Sequence, residues 1–227
     1  MNQDSAKKFF DLFLSGDQFR TTWMLKPFTL DGLTAATDTT SIGWVNQELE
    51  GYERISDEKN IGVIKDYISK KDDEGRFIKT KELVSLMEGL PLIDEYNEEE
   101  EKIVCKTCNG DGEVEWEFEH YTMEHKCPVC KGEGSVDNTA RKKTGNMIPD
   151  LDEIASIGET RLSFHRIKSL IAAAEILGVE EIEIIYLDDL NRLGPVTFGL
   201  GEARMLLMPL STSVSAQSKI TIHEKTV

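Results

Sequence analysis

The chain has 227 residues, 39% of them hydrophobic and 30% charged, with a formal net charge of -16. That length can bury a core without help from metals or disulfides, and that composition excludes general disorder. So negative a surface also excludes non-specific wrapping of nucleic acid by the whole molecule, because phosphate contacts demand Lys and Arg.

The opening segment MNQDSAKKFFDLFL lacks a signal-peptide pattern, and no stretch approaches the roughly 18 apolar residues that span a bilayer. The expectation is a cytoplasmic protein with no membrane partner. Thiols stay reduced in that compartment, so paired cysteines are read as metal ligands.

In chain order, residues 5–14 place Phe9, Leu12 and Phe13 at helical spacing before a Ser15-Gly16-Asp17 stop. Residues 18–46 are rich in β-branched and aromatic residues around Asp31-Gly32, which predicts a strand hairpin or meander. Apolar spacing predicts helices over 56–70, with Ile61, Ile64, Tyr67 and Ile68, and over 80–90, with Leu83, Leu86 and Met87. The polar run KKDDEGR between them reads as a loop. Residues 94–101 are strongly acidic and read as a solvated linker, matched by a second polar stretch over 135–150.

The segment from Phe164 to Leu177 carries Ile167, Leu170, Ile171, Ala174 and Leu177 on one helical face and stops at Gly178. Three strands are expected after it, in EIEIIYL, VTFGL and ARMLLMPL, with turns at Asp188-Asp189, Gly194-Pro195 and Gly201. The tail SKITIHEKTV adds an edge strand or frays.

Cys105-Lys-Thr-Cys108-Asn-Gly110-Asp-Gly112 and Cys127-Pro-Val-Cys130-Lys-Gly132-Glu-Gly134 are two copies of Cys-x-x-Cys-x-Gly-x-Gly. Two residues between paired cysteines let both thiolates reach one ion, and two such knuckles complete a closed tetrahedral shell. The spacing between the pairs falls in the range of zinc-binding double motifs. Cys105, Cys108, Cys127 and Cys130 are therefore expected to hold one structural Zn2+. A thiol redox site is the competing reading, and His120 and His125 are read as ribbon residues rather than ligands. Between the pairs, Glu113 to Glu119 alternates acidic and apolar residues, which predicts one strand of the ribbon. Trp116 and Phe118 either dock on a neighbouring element, the commoner case, or are offered to a partner, in which case Trp116, Phe118 and Tyr121 are the partner-binding residues.

The cysteine repeats resemble the zinc-binding repeats of DnaJ-type co-chaperones over residues 103–136, although that family has four copies where this chain has two. No His-Pro-Asp signature of a J-domain is present. Outside the ribbon, the helix and three strands from Phe164 to Leu210, ending Leu206-Leu207-Met208-Pro209-Leu210, resemble the final repeat of DNA sliding clamps. The segment from Leu33 to Asp38 is similar to the Ala-Thr-Asp segment of clamp strands. The resemblance implies a duplicated unit and an accessory role in DNA transactions. An unrelated α+β sheet ending in apolar strands is the plain alternative.

The expected architecture is α+β, a mostly antiparallel sheet with packed helices. Residues 1–100 and 137–227 would form one discontinuous domain, and 101–136 an inserted zinc ribbon. No phosphate loop, nucleophile elbow or His-Glu-x-x-His motif is present, so the chain reads as a non-enzymatic interaction module. Its partner is expected to be a protein, with DNA as a second candidate. A protein-binding adaptor or chaperone-like zinc-ribbon protein with no nucleic-acid role is the alternative, and a thiol redox enzyme the remaining one.

Overall fold

The computed structural model describes residues 1–16, 20, 22–55, 58–70, 75–187, 193–211 and 213–225. Asp17, most of the loop expected after Lys70 and the expected Asp188-Asp189 turn lie outside the described residues. Two compact units emerge, one of residues 1–91 and 149–227, here called the body, the other of residues 92–148.

The body opens with α1 (Gln3–Asp11), capped where the Asn2 side chain accepts from the Ser5 N–H at 2.8 Å. A single turn, α2 (Thr22–Leu25), occupies part of the stretch expected to be strand. The meander follows as β1 (Phe28–Leu30), β2 (Leu33–Thr37) and β3 (Ser41–Val45). Asp31 and Gly32 both take positive φ in the first hairpin, the left-handed turn that Asp-Gly favours. Next come β4 (Glu53–Arg54), α3 (Glu58–Ser69), β5 (Arg76–Lys79) and α4 (Thr80–Glu88). The chain then leaves for the second unit through β6 (Leu92–Val104), β7 (Glu113–Phe118), β8 (Tyr121–Lys126) and β9 (Ser135–Pro149).

It returns through β10 (Ile154–Ile157) and β11 (Thr160–Ser163), neither of which the sequence signalled, into α5 (Phe164–Leu177). Gly178 ends α5 in the left-handed conformation, with φ 66°. The expected three strands are β12 (Glu181–Leu187), β13 (Val196–Leu200) and β14 (Ala203–Leu207), and the tail adds β15 (Ser218–Lys219) and β16 (His223–Glu224).

The body is α+β with mostly antiparallel pairing, and its main sheet has the order β16-β5-β12-β13-β14-β3-β2-β1-β4. Within it a unit of one helix and a three-stranded meander occurs twice, as α1 with β1-β2-β3 and as α5 with β12-β13-β14. The two meanders join through their third strands, β3 and β14, which run antiparallel with Gly43 opposite Met205. That is the arrangement of an approximate two-fold axis.

α1 and α5 share one face of this sheet. Phe9 and Phe10 from α1, and Phe13 just past its end, meet Phe164, Ile167, Leu170 and Ala174 from α5 over Ile184, Phe198 and Met205. The opposite face buries Phe28, Leu30, Ala35, Ile42, Trp44 and Leu206 under Ile64, Tyr67 and Ile68 of α3. With both faces covered, β3 and β13 are buried throughout rather than alternately. Gly43 has a steric role here, since a Cβ on it would sit 2.2 Å from the Phe13 ring. The aromatic fills the space that glycine leaves.

The second unit starts at Leu92 and closes at Ile148, wider than the expected ribbon of residues 101–136. The acidic linker and the polar exit are instead paired strands, β6 and β9. Composition misleads because each strand supplies the other's counter-charges. Arg141 lies 3.8 Å from Glu98 and Lys142 2.5 Å from Glu99, while Lys143 pairs with Asp94, and Lys102 at the end of β6 lies 3.2 Å from Glu133 just ahead of β9. Glu95 accepts from Asn146 Nδ2 at 3.0 Å and Thr144 Oγ1 at 2.7 Å, which hold its carboxyl below the ordinary carboxylate range. The basic run Arg141-Lys142-Lys143 is thus spent on cross-strand carboxylates and the Tyr96 ring, with Arg141 Cζ 5.1 Å from its centroid.

Candidate metal centre and ribbon face

The strands β6 and β9 deliver their ends to two interlocked knuckles. The Cys105 N–H donates to Gly134 O at 2.9 Å and the Cys127 N–H to Gly112 O at 2.8 Å, so the end of each knuckle holds the start of the other. Gly112 and Gly134 take φ of 78° and 73°. A Cβ on Gly112 would lie 2.5 Å from Gly132 O, and one on Gly134 2.2 Å from Gly110 O. Only glycine permits both the left-handed backbone and the contact, so the glycines of the motif make the two knuckles fit together.

All four cysteines are buried and unbridged, and their sulfurs lie within 4.8 Å of one another. Cys105 Sγ is 3.8 Å from Cys127 Sγ, and Cys108 Sγ is 3.6 Å from Cys130 Sγ. A disulfide requires about 2.05 Å. A tetrahedral ion bound by four thiolates at about 2.3 Å separates them by about 3.8 Å, so the cage has the right size for such an ion. The Gly112 and Gly134 N–H groups donate to Cys108 Sγ and Cys130 Sγ at 3.2 and 3.3 Å, donors aimed at sulfur that stabilise thiolate. Val114 and Val136 pack against the cluster.

The surroundings push Cys105 and Cys130 one way and Cys108 the other. Burial opposes ionisation of Cys105, but the backbone N–H groups of Cys108 and Thr107 outweigh it and bring the thiol down to about 6. At Cys108, burial wins and, with its thiol neighbours Cys130 and Cys105, drives the group up to about 11. Cys130 is lowered, its burial outweighed by the N–H groups of Gly132 and Gly134. Thiolates this close repel, and a divalent cation is what lets all four lose their protons together. A redox role fits poorly, because reactive cysteines are partly exposed and these are not.

The rest of the ribbon is the β7–β8 hairpin, closed by a two-residue turn with Glu119 at φ 56°. Its register pairs Trp116 with Met123 and Phe118 with Tyr121, placing all four on one face with Val114 and His125. Trp116, Phe118, Tyr121 and Met123 are 60%, 75%, 73% and 59% exposed. Trp116 meets the His125 ring edge-on within the hairpin, centroids 5.7 Å apart. Within their own unit, then, these side chains stay exposed rather than docked on a neighbouring element, the commoner expectation. Sequence reasoning misses Met123 and His125 as members of this face, although the alternation Tyr121-x-Met123-x-His125 mirrors that of β7 and is enough to place them. His120 and His125 stand outside the cysteine group.

No family model matches the chain, that of the DnaJ type included, and no curated protein matches it. Solved structures do. A DNA polymerase sliding clamp from Pseudomonas aeruginosa superposes with a TM-score of 0.43 at 9% identity, over 93% of this chain and 66% of that one. Caulobacter crescentus pol III beta gives 0.43 at 10%, over 93% and 65%. A putative DNA polymerase III beta subunit from Eubacterium rectale gives 0.44 at 12%, over 92% and 63%. The chain spans just under two thirds of the length of these clamps. Among the described residues, no helix is long and apolar enough to cross a membrane.

Proposed function

We propose that this chain is a non-enzymatic interaction module in which one structural zinc ion, held by Cys105, Cys108, Cys127 and Cys130, stiffens an arm that binds a protein partner. The observation that carries the reading is the face of Trp116, Phe118 and Tyr121, most of its area in water, on a hairpin rooted at a buried four-thiolate cage. Exposed aromatics on a rigid mount are the usual anchors of protein interfaces. Four thiolates close the coordination shell, so the ion has no open position for catalysis. Metal analysis should return about one zinc per chain. With the full chain as bait in a pull-down, Trp116→Ala should keep its zinc and its fold while the captured partner is lost. Retention of that partner by Trp116→Ala would remove the reading.

A second reading, an accessory role in DNA transactions, is favoured by the duplicated helix-and-meander body, the architecture that the sequence resemblance to sliding clamps implies. Any DNA contact would fall to the body, because the basic residues of β9 already face carboxylates. Retention of the full chain on a DNA column should then fall steeply with salt. Salt-insensitive or absent retention would discard this reading without touching the first.

A further inference from the structure

The two faces of the β7–β8 hairpin each carry an unmet demand. One leaves Trp116, Phe118, Tyr121 and Met123 in water. The other carries Glu113, Glu115 and Glu117 from β7 and Glu124 from β8, and its register sets Glu115 directly opposite Glu124. Only Glu113 has a cation opposite it, Lys126. Among the described residues, Glu115, Glu117 and Glu124 have no basic partner. Like charges directly opposed across an antiparallel pair are destabilising, and a two-stranded hairpin has little stability to spare. The protein carries both costs in its free state.

One kind of partner relieves both. A segment that is apolar where it covers the aromatic face and cationic where it passes the hairpin edges buries the first and neutralises the second. A second copy of the chain would not, because the unit from Leu92 to Ile148 holds fourteen acidic residues against seven basic ones and would bring the same charge. Nucleic acid is excluded from this face by its sign. The geometry points to a cationic protein partner, an apolar segment flanked by Lys or Arg, with Glu115 and Glu124 as the pair that selects for its charge. This rests on the reading of the ribbon as a protein-binding arm.

The test uses the full zinc-loaded chain and three synthetic peptides of equal length in which leucine alternates with lysine, glutamine or glutamate, their binding followed by anisotropy. The lysine peptide should bind at least about tenfold more tightly than the glutamine peptide, a difference of about 1.4 kcal/mol, and the advantage should shrink with salt. Glu115→Gln/Glu124→Gln should bring the lysine peptide to the glutamine peptide's affinity. Trp116→Ala/Phe118→Ala should abolish binding of both. Equal zinc content certifies that each variant is folded at the knuckles, and the glutamine pair removes a repulsion rather than a contact. If the lysine and glutamine peptides bind the native chain alike through Trp116 and Phe118, the charge inference fails and the arm reading stands. If no peptide binds, both fall. Self-association lost on Trp116→Ala would make a second copy the occupant and overturn the inference.

Discussion

The Gly134→Ala substitution probes the metal centre without touching a ligand. Gly134 sits at φ 73°, and an added Cβ would lie 2.2 Å from Gly110 O and 3.1 Å from Gly110 C, both backbone atoms of the opposite knuckle. The left-handed conformation alone costs a non-glycine residue about 1–2 kcal/mol. Relieving the contact must part the knuckles, which weakens the Cys105 N–H to Gly134 O bond and the Gly134 N–H to Cys130 Sγ contact, each worth about 1 kcal/mol. The total is about 3–4 kcal/mol, or two to three decades of zinc affinity. Gly145 is the matched control. It lies in β9 of the same unit at φ 89°, with nothing within 4 Å of where a Cβ would stand, so Gly145→Ala carries only the conformational cost. Competition against a chromophoric chelator measures both variants on one scale. Equal zinc affinities for the two would refute the claim that glycine is needed for knuckle-to-knuckle contact.

Cys108→Ser should abolish tight zinc binding, since one thiolate of four is lost, while the urea transition of the body stays within about 0.5 kcal/mol of the native one; a body that unfolds with the metal would contradict the two-unit division. Gly43→Ala drives a methyl to within 2.2 Å of the Phe13 ring and should lower stability by about 1–3 kcal/mol in urea, with Phe13→Leu recovering part of the loss in the double variant. Glu82 takes a hydrogen bond from His223 Nε2 at 2.9 Å that holds its carboxyl below the ordinary 4.5. A lowered folded-state pKa stabilises above the unfolded value and is lost as pH falls through the folded one. The native chain should therefore out-melt Glu82→Gln near neutrality, and the gap should close as the pH drops below 4.5; a gap that widens in acid would reverse the assignment.

The cysteine knuckles are legible because a metal site is written in local spacing. Two ligands three positions apart and the glycines after them sit on one turn of chain, so pattern and geometry nearly coincide. Helices α1, α4 and α5 and the hairpin at Asp31-Gly32 are readable for the same reason, each resting on periodicity or turn chemistry within a dozen or so residues. β5, β10 and β11 carry too short a signal. β6 and β9 carry a misleading one, since runs such as Glu98-Glu-Glu-Glu101 and Arg141-Lys-Lys143 read as solvated until each is seen facing the other.

By itself, then, the order of residues determined where the metal ligands lie, where the longer helices start and stop, and that one strand of the ribbon has an apolar and an acidic side. Tertiary structure decided which strands pair, that β3 meets β14 across an approximate two-fold, and that Trp116 and Phe118 stay in water rather than packing down. The physical reason is range. Dihedral preference, periodicity and ligand spacing act over a few residues, whereas strand pairing and burial depend on which distant segment arrives at the other side.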